Sequence, residues 1–228
     1  MCQARSVSAE RKSLRSAPAR GRRLPAQPRR ESILEVARHA FAARGYDGLR
    51  TQEIAKAAGV SEALIYQHFT SKRELYEEVV DRSATALRET LAGATTGSAK
   101  GERLERGLEA FVEFVADRSS GWSLLVSRVG DPEVLAHQRA AHRRCIEALT
   151  ELFVAESRER GGDRSRRQLE QLAEAIGGGA EALATWWSEH PKASRAEGLS
   201  MLVDFARRSL EASAPSAGAG RGKRRGSA

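Results

Sequence analysis

The sequence predicts an all-α protein, and three observations carry that reading. Alanine, leucine, glutamate and arginine dominate its 228 residues, and these are good helix formers. Aromatic residues make up only 5% of the chain, and runs of β-branched residues are scarce. Apolar residues recur at three- and four-residue spacing between glycine- and proline-bearing breaks. At this length the chain can bury a sizeable core, as one large domain or two small ones. It has no run of about eighteen apolar residues, so no membrane span is expected.

The net charge of +8 is unevenly placed. Residues 1–30 carry +8 and residues 212–228 carry +4, which leaves −4 on everything between. The basic charge thus sits in two tails rich in Arg, Ser, Pro or Gly, expected to be disordered basic segments over 1–28 and 213–228. Such tails can also hold a polyanion electrostatically. The first segment has no apolar stretch of the kind a secretory signal needs, although its Arg/Ser-rich, acid-poor composition leaves a transit peptide as an alternative. Two cysteines, Cys2 and Cys145, make no disulfide framework and point to a reducing, cytoplasmic location.

The first periodic segment is RRESILEVARHAFAARGY. Ile33, Ala37, Ala40 and Phe41 share one helical face, and Gly45 supplies the stop. Thr51 is a plausible N-cap for the next helix, whose inner face is Ile54, Ala55 and Ala58. Gly59 ends it after about two turns. Ser61 caps a short third helix, in which Ile65 and Phe69 point inward at i, i+4. Ser71, with Glu74 three residues on, forms a capping-box pattern. From there Leu75, Tyr76 and Val79 lead into a longer helix expected to end near Gly93. AGATTGSAKG (92–101) reads as a linker. Further helices are predicted at about 102–118, 121–129, 132–160, 165–189 and 194–212, separated by GDP, GGD and HP breaks. The expected division is a small unit of short helices over 29–76 and a larger helical unit over 77–212.

Two short helices joined by a glycine turn, with a third before them, make a helix-turn-helix. Ile54, Ala58, Val60, Ile65 and Phe69 can cover Ile33, Ala37 and Phe41 and close a three-helix core. The helix after Ser61 then presents Glu62, Ala63, Leu64 and Gln67 outward, with Tyr66 and His68 at the edges. A helix of this width fits the DNA major groove. The stretch Thr51, Ile54-Ala55, Ala58-Gly59-Val60-Ser61, Ile65-Tyr66, His68-Phe69, Ser71-Lys72 and Leu75 resembles the TetR family of bacterial transcriptional regulators. That resemblance implies phosphate contacts from Thr51, Tyr66, His68 and Lys72, and a base-facing set of Glu62, Ala63, Leu64 and Gln67 behind Ser61. It also implies a homodimer on double-stranded operator DNA, with a ligand pocket in the C-terminal body. Many relatives carry glycine where Ala63 stands, and the exposed Leu64 is less usual than a polar residue.

The remainder of the chain shows no catalytic constellation, so no enzyme activity is expected. There is no phosphate-binding glycine loop after a strand, no nucleophile elbow and no paired-histidine zinc motif. His142 and Cys145 share a helix face but are too few for a metal site, and no cofactor is expected. The GGG at 177–179 lies within a helical pattern and points to close helix packing. Leu183, Trp186, Leu202 and Phe205 are the expected dimer-interface residues, with Trp186 and Trp187 facing different ways. Phe111, Phe114, Trp122, Leu125 and His137 are ligand-pocket candidates by residue type. The leading expectation is a repressor released from its operator by an unknown small-molecule effector. The alternative is an effector-independent architectural or recombinase-type DNA-binding protein.

Overall fold

A computed structural model describes residues 26–99, 101–117 and 121–211, and among them every regular element is a helix. The order is α1 (Ala26–Arg44), α2 (Thr51–Ala57), α3 (Glu62–His68), α4 (Lys72–Thr95), α5 (Arg103–Ala116), α6 (Trp122–Val126), α7 (Pro132–Glu159), α8 (Arg166–Glu189) and α9 (Arg195–Glu211). The basic segments 1–25 and 212–228 lie outside the described residues.

The head is built from α1 to α3 and the start of α4. Ile33, Ala37 and Phe41 of α1 pack with Ile54, Ile65, Phe69, Leu75 and Tyr76, all fully or almost fully buried. Ala58 and Val60 pack against that core half-buried. Burying a side chain of this size contributes about 1.5–3 kcal/mol, which lets helices of seven residues persist where they would melt alone. Gly45 at φ +72° and Gly59 at φ +65° take the left-handed conformation that turns the chain after α1 and α2.

Helix α4 belongs to head and body alike. Its first turns pack on α1, and Leu87 and Leu91 pack into the body against α5 and α7. At the junction Phe41, Tyr46 and Tyr76 form an aromatic knot, with Tyr76 5.0 Å from each of the other two ring centroids. The Tyr76 hydroxyl donates to the Leu124 carbonyl of α6 at 3.3 Å, and Gln138 Nε2 of α7 donates to the same carbonyl at 2.6 Å.

The body packs α5, α7 and α8 around Leu108, Phe111, Leu149, Phe153 and Ile176, with α9 against α5 and α8. The glycine run in α8 serves that packing. A Cβ on Gly177 would lie 3.2 Å from Ile146 of α7, and one on Gly179 would lie 3.2 Å from Leu202 of α9.

Most helix ends fall within two residues of the sequence reading, and three of the differences have a local cause. Helix α1 opens at Ala26 rather than 29, because Pro28 falls in the first turn, where its missing N–H has no carbonyl to serve. Helix α4 runs past Gly93 to Thr95, and the Thr95 and Thr96 hydroxyls donate back to Leu91 and Ala92 carbonyls. Helix α6 stops at Val126, because Ser127 turns extended and Gln138 takes up its carbonyl.

Candidate nucleic-acid interface

Helix α3 stands on two side chains. Only Ile65 within it is buried, and Phe69 at its C-cap is 1% exposed. These two turn the remaining face outward. Ala63, Tyr66 and Gln67 are exposed, and Glu62, Leu64 and His68 are half-exposed. Ser61 is exposed and caps the helix, its Oγ accepting from Leu64 N at 3.2 Å. Glycine at 59 and a capping serine at 61 fix where α3 starts, and the i, i+4 pair Ile65/Phe69 fixes how it is rotated.

Helix α2 supports it from behind, and here the structure corrects the expected cap. Arg50, not Thr51, occupies the extended cap position, and Glu53 Oε2 accepts its N–H at 2.9 Å. Glu53 also accepts from Arg44 Nη1 at 2.6 Å, which anchors the entry to α2 on the end of α1. Thr51 is the first helical residue, only 6% exposed, and its Oγ1 faces the Tyr66 hydroxyl at 3.4 Å. Thr51 is therefore placed to orient Tyr66, because burial leaves little of its own hydroxyl at the surface.

At the start of α4, Ser71 Oγ accepts from Glu74 N at 3.1 Å as expected. Glu74 does not complete the reciprocal box on Ser71. Its carboxylate takes the Thr70 N–H at 2.6 Å, and these Thr70 contacts hold it below the usual carboxylate range. Lys72 extends from this turn with its Nζ 4.1 Å from the centroid of the Tyr46 ring. Partial burial lowers the Lys72 ammonium from its ordinary value, and Asp47 opposes that shift. Asp47 also accepts the Gly130 N–H from the α6–α7 loop at 2.8 Å, and Arg73 pairs with Glu133 on α7. The turn beneath Lys72 is thereby tied to the body. Tyr46 and Asp47 were missed in the sequence, where YDG after a helix stop reads as an ordinary turn.

The N-terminal end of α1 closes on the far end of α3. The Arg30 guanidinium lies 4.7 Å over the Phe69 ring and pairs with Glu78.

In the body, the expected residues divide. Phe111, Trp122 and Leu125 come together as core, with the Phe111 and Trp122 rings edge-on at 5.5 Å. Phe114 is half-buried in a separate cleft between α1, α4 and α5. His137 does not join them. It bonds Asp81 of α4 at 3.0 Å, and Arg144 holds the same carboxylate. A cavity of about 720 Å3 opens between α1, α5, α6 and α8, and of the five candidates only Trp122 lines it. At the α8–α9 surface Trp186, Met201 and Phe205 are exposed, and Leu183 is half-buried. Leu202 is buried within the chain against Gly179, so it packs α9 onto α8 and is not surface. Trp187, the neighbour of Trp186, is buried.

Two family models match the chain. One, described as bacterial regulatory proteins of the tetR family, covers residues 33–79 and spans the α1–α4 head. The other, described as a tetracyclin repressor-like C-terminal domain, covers residues 100–208. The chain belongs to the TetR family. The HTH-type transcriptional activator FasR of Mycolicibacterium smegmatis is 37% identical over 144 residues, which cover 60% of this chain. The aligned region spans 64% of the length of FasR. A TetR-like transcriptional regulator from Rhodococcus sp. RHA1 superposes with a TM-score of 0.65 at 26% identity, covering 83% of this chain and 100% of that one. The structure of AibR in complex with isovaleryl coenzyme A and operator DNA shares the TetR fold with a TM-score of 0.64 at 20% identity, covering 78% of this chain and 97% of that chain.

Proposed function

We propose that the protein is a homodimeric, DNA-binding transcriptional regulator whose operator affinity is set by a small molecule bound in the body. The observation that carries this reading is α3: a capped helix with one buried residue and six outward-facing ones. No packing need explains that face, and its dimensions suit a major groove. Gln67 and the first-turn residues Glu62, Ala63 and Leu64 read base edges. Gln67 offers the bidentate amide that pairs with adenine, and Ala63 and Leu64 offer apolar contact to a thymine methyl. Tyr66, steadied by Thr51, meets phosphate together with His68 and Lys72.

The α8–α9 surface supports the dimer. Trp186, Met201 and Phe205 are large apolar side chains left in water by the single chain, a pattern that marks an interface. Half-sites one helical turn apart, about 34–36 Å, are the spacing that the two α3 helices of such a dimer have to meet. Repression by occluding a promoter needs nothing beyond this geometry. Activation, which the name of FasR states for that protein, would require a contact with the transcription machinery as well.

The test is selection of genomic fragments by the purified full-length chain, followed by footprinting. Two protected half-sites one helical turn apart are expected. Failure to retain any duplex at low ionic strength refutes the reading.

A further inference from the structure

We propose that Leu64 reads a methyl group: it recognises the C5 methyl of a pyrimidine in the major groove of each half-site, whether the base is thymine or 5-methylcytosine. The proposal rests on the regulator reading above and deepens it by naming the chemical group read at one position.

Leu64 is an apolar side chain that the fold does not use. It is half-exposed on α3 and, among the described residues, does not pack against the hydrophobic core. Its neighbour Ile65 is 1% exposed. The residues that staple a helix start, one on each side of the cap, are here Val60 and Ile65, and both pack with the core. Leu64 stands three residues after the capping Ser61, where a glutamate or glutamine can reach back to the cap. The same position holds Glu53 in α2, Glu74 in α4 and Gln168 in α8. Leucine at this place neither caps nor packs, so local folding gives no reason for it.

The backbone beneath it is held. Its N–H donates to Ser61 Oγ at 3.2 Å and to the Ser61 carbonyl at 3.0 Å. Ile65 and Phe69 anchor the inner side of the helix. Ala63, the preceding residue, is exposed and adds no polar group. The first turn of α3 therefore presents a preorganised apolar patch, and the first turn is the part of a reading helix that reaches base edges.

Chemistry selects the partner. An isobutyl group neither accepts from the amino groups of cytosine and adenine nor donates to the oxygens and N7 atoms of the other positions. It would strip water from those groups without replacing it. The apolar group on the major-groove edge is the C5 methyl of thymine. 5-Methylcytosine carries the same methyl on the same carbon, beside an amino group in place of O4. A side chain that reads only the methyl accepts either base and rejects uracil and cytosine. Covering one methyl contributes about fourfold in affinity, and about fifteenfold over two half-sites. Methylation of a cytosine in this column would thus raise the affinity of an operator.

The experiment uses the full-length protein and a duplex that it selects. Each thymine of the half-sites is replaced in turn, symmetrically, by uracil, which removes the methyl alone. One column should lose about fifteenfold in affinity by fluorescence anisotropy. At that column, duplexes carrying 5-methylcytosine and cytosine, both opposite guanine, should differ by about the same factor in favour of the methylated base. Leu64→Ser should abolish both preferences, and Leu64→Ala should reduce them. Both variants should keep the wild-type circular dichroism, because Leu64 lies outside the core. No column sensitive to uracil, or a methyl preference unchanged in both variants, overturns the assignment to Leu64. Sensitivity to uracil with no gain from 5-methylcytosine overturns the reading of the methyl alone. A wild-type protein that retains no duplex refutes the regulator reading and this assignment with it, whereas one that selects a duplex and ignores every methyl refutes the assignment only.

Discussion

Replacing Lys72 by alanine tests whether the turn opening α4 lies on the DNA backbone. Lys72 is half-buried, and its Nζ is held 4.1 Å from the Tyr46 ring centroid. If each protomer places this ammonium on one phosphate, a dimer loses two contacts. The logarithm of the association constant falls with the logarithm of salt by about 0.9 per phosphate neutralised, so the slope should become shallower by about 1.8. Between 50 and 200 mM salt, about a fourfold change, the wild-type advantage over Lys72→Ala should then shrink about twelvefold. Fluorescence anisotropy on a selected duplex at four or five salt concentrations measures this. Tyr46→Leu should behave differently. The charge remains, so the slope stays, but loss of the aromatic support should weaken binding at every salt concentration by about 0.5–1 kcal/mol per protomer. Tyr46→Phe, which keeps the ring, should match the wild type. A Lys72→Ala slope identical to that of the wild type would refute the placement of Lys72 on phosphate.

Other outcomes follow from the same geometry. Gln67→Ala should relax preference at one position per half-site at a loss of about 1–3 kcal/mol, whereas Tyr66→Ala should weaken cognate and random duplexes alike; equal losses for Gln67→Ala would exclude base reading. Deleting the Arg-rich residues 1–25 should lower affinity and flatten the salt dependence, and an unchanged slope would remove that segment from the interface. Gly178→Ala should raise thermal stability by about 0.5–1 kcal/mol, since a Cβ there meets open space. Gly198→Ala should lower it, because its Cβ would stand 2.6 Å from the buried Trp187 ring, and calorimetry of both variants tests the pair. In a Cys2→Ser background, Cys145 should resist Ellman's reagent at pH 8, because burial pushes its thiol up to about 12 and keeps thiolate scarce; labelling as fast as a free thiol would contradict that burial.

Periodicity made the helices readable because each is a local pattern. Ile33, Ala37 and Phe41 declare a face without knowledge of what covers it, and Ile65 with Phe69 fixes the outward side of α3 in the same way. Gly45 and Gly59 announce their turns because few other residues tolerate positive φ there. What could not be read depends on partners distant in sequence. Nothing near His137 reveals that Asp81, fifty-six residues earlier, will claim it. Leu202 looks like any other apolar residue of α9, and only the missing side chain at Gly179 decides that it turns inward. The cap at Arg50 was hidden because its capping group is the Glu53 carboxylate, while threonine at 51 is the usual signal. Four of the cavity's thirteen lining residues are alanines, which announce nothing in a sequence this rich in them.

Helix α4 has 24 residues and so measures about 36 Å from the operator side to the middle of the molecule. A rod of that length magnifies small rotations: a tilt of about 5° about its inner end sweeps the outer end by about 3 Å. In the proposed two-fold dimer the two displacements would add to about 6 Å, a sizeable fraction of the roughly 12 Å width of a major groove. On the proposed reading, modest adjustments deep in the body would put two otherwise unaltered reading heads out of step with the duplex.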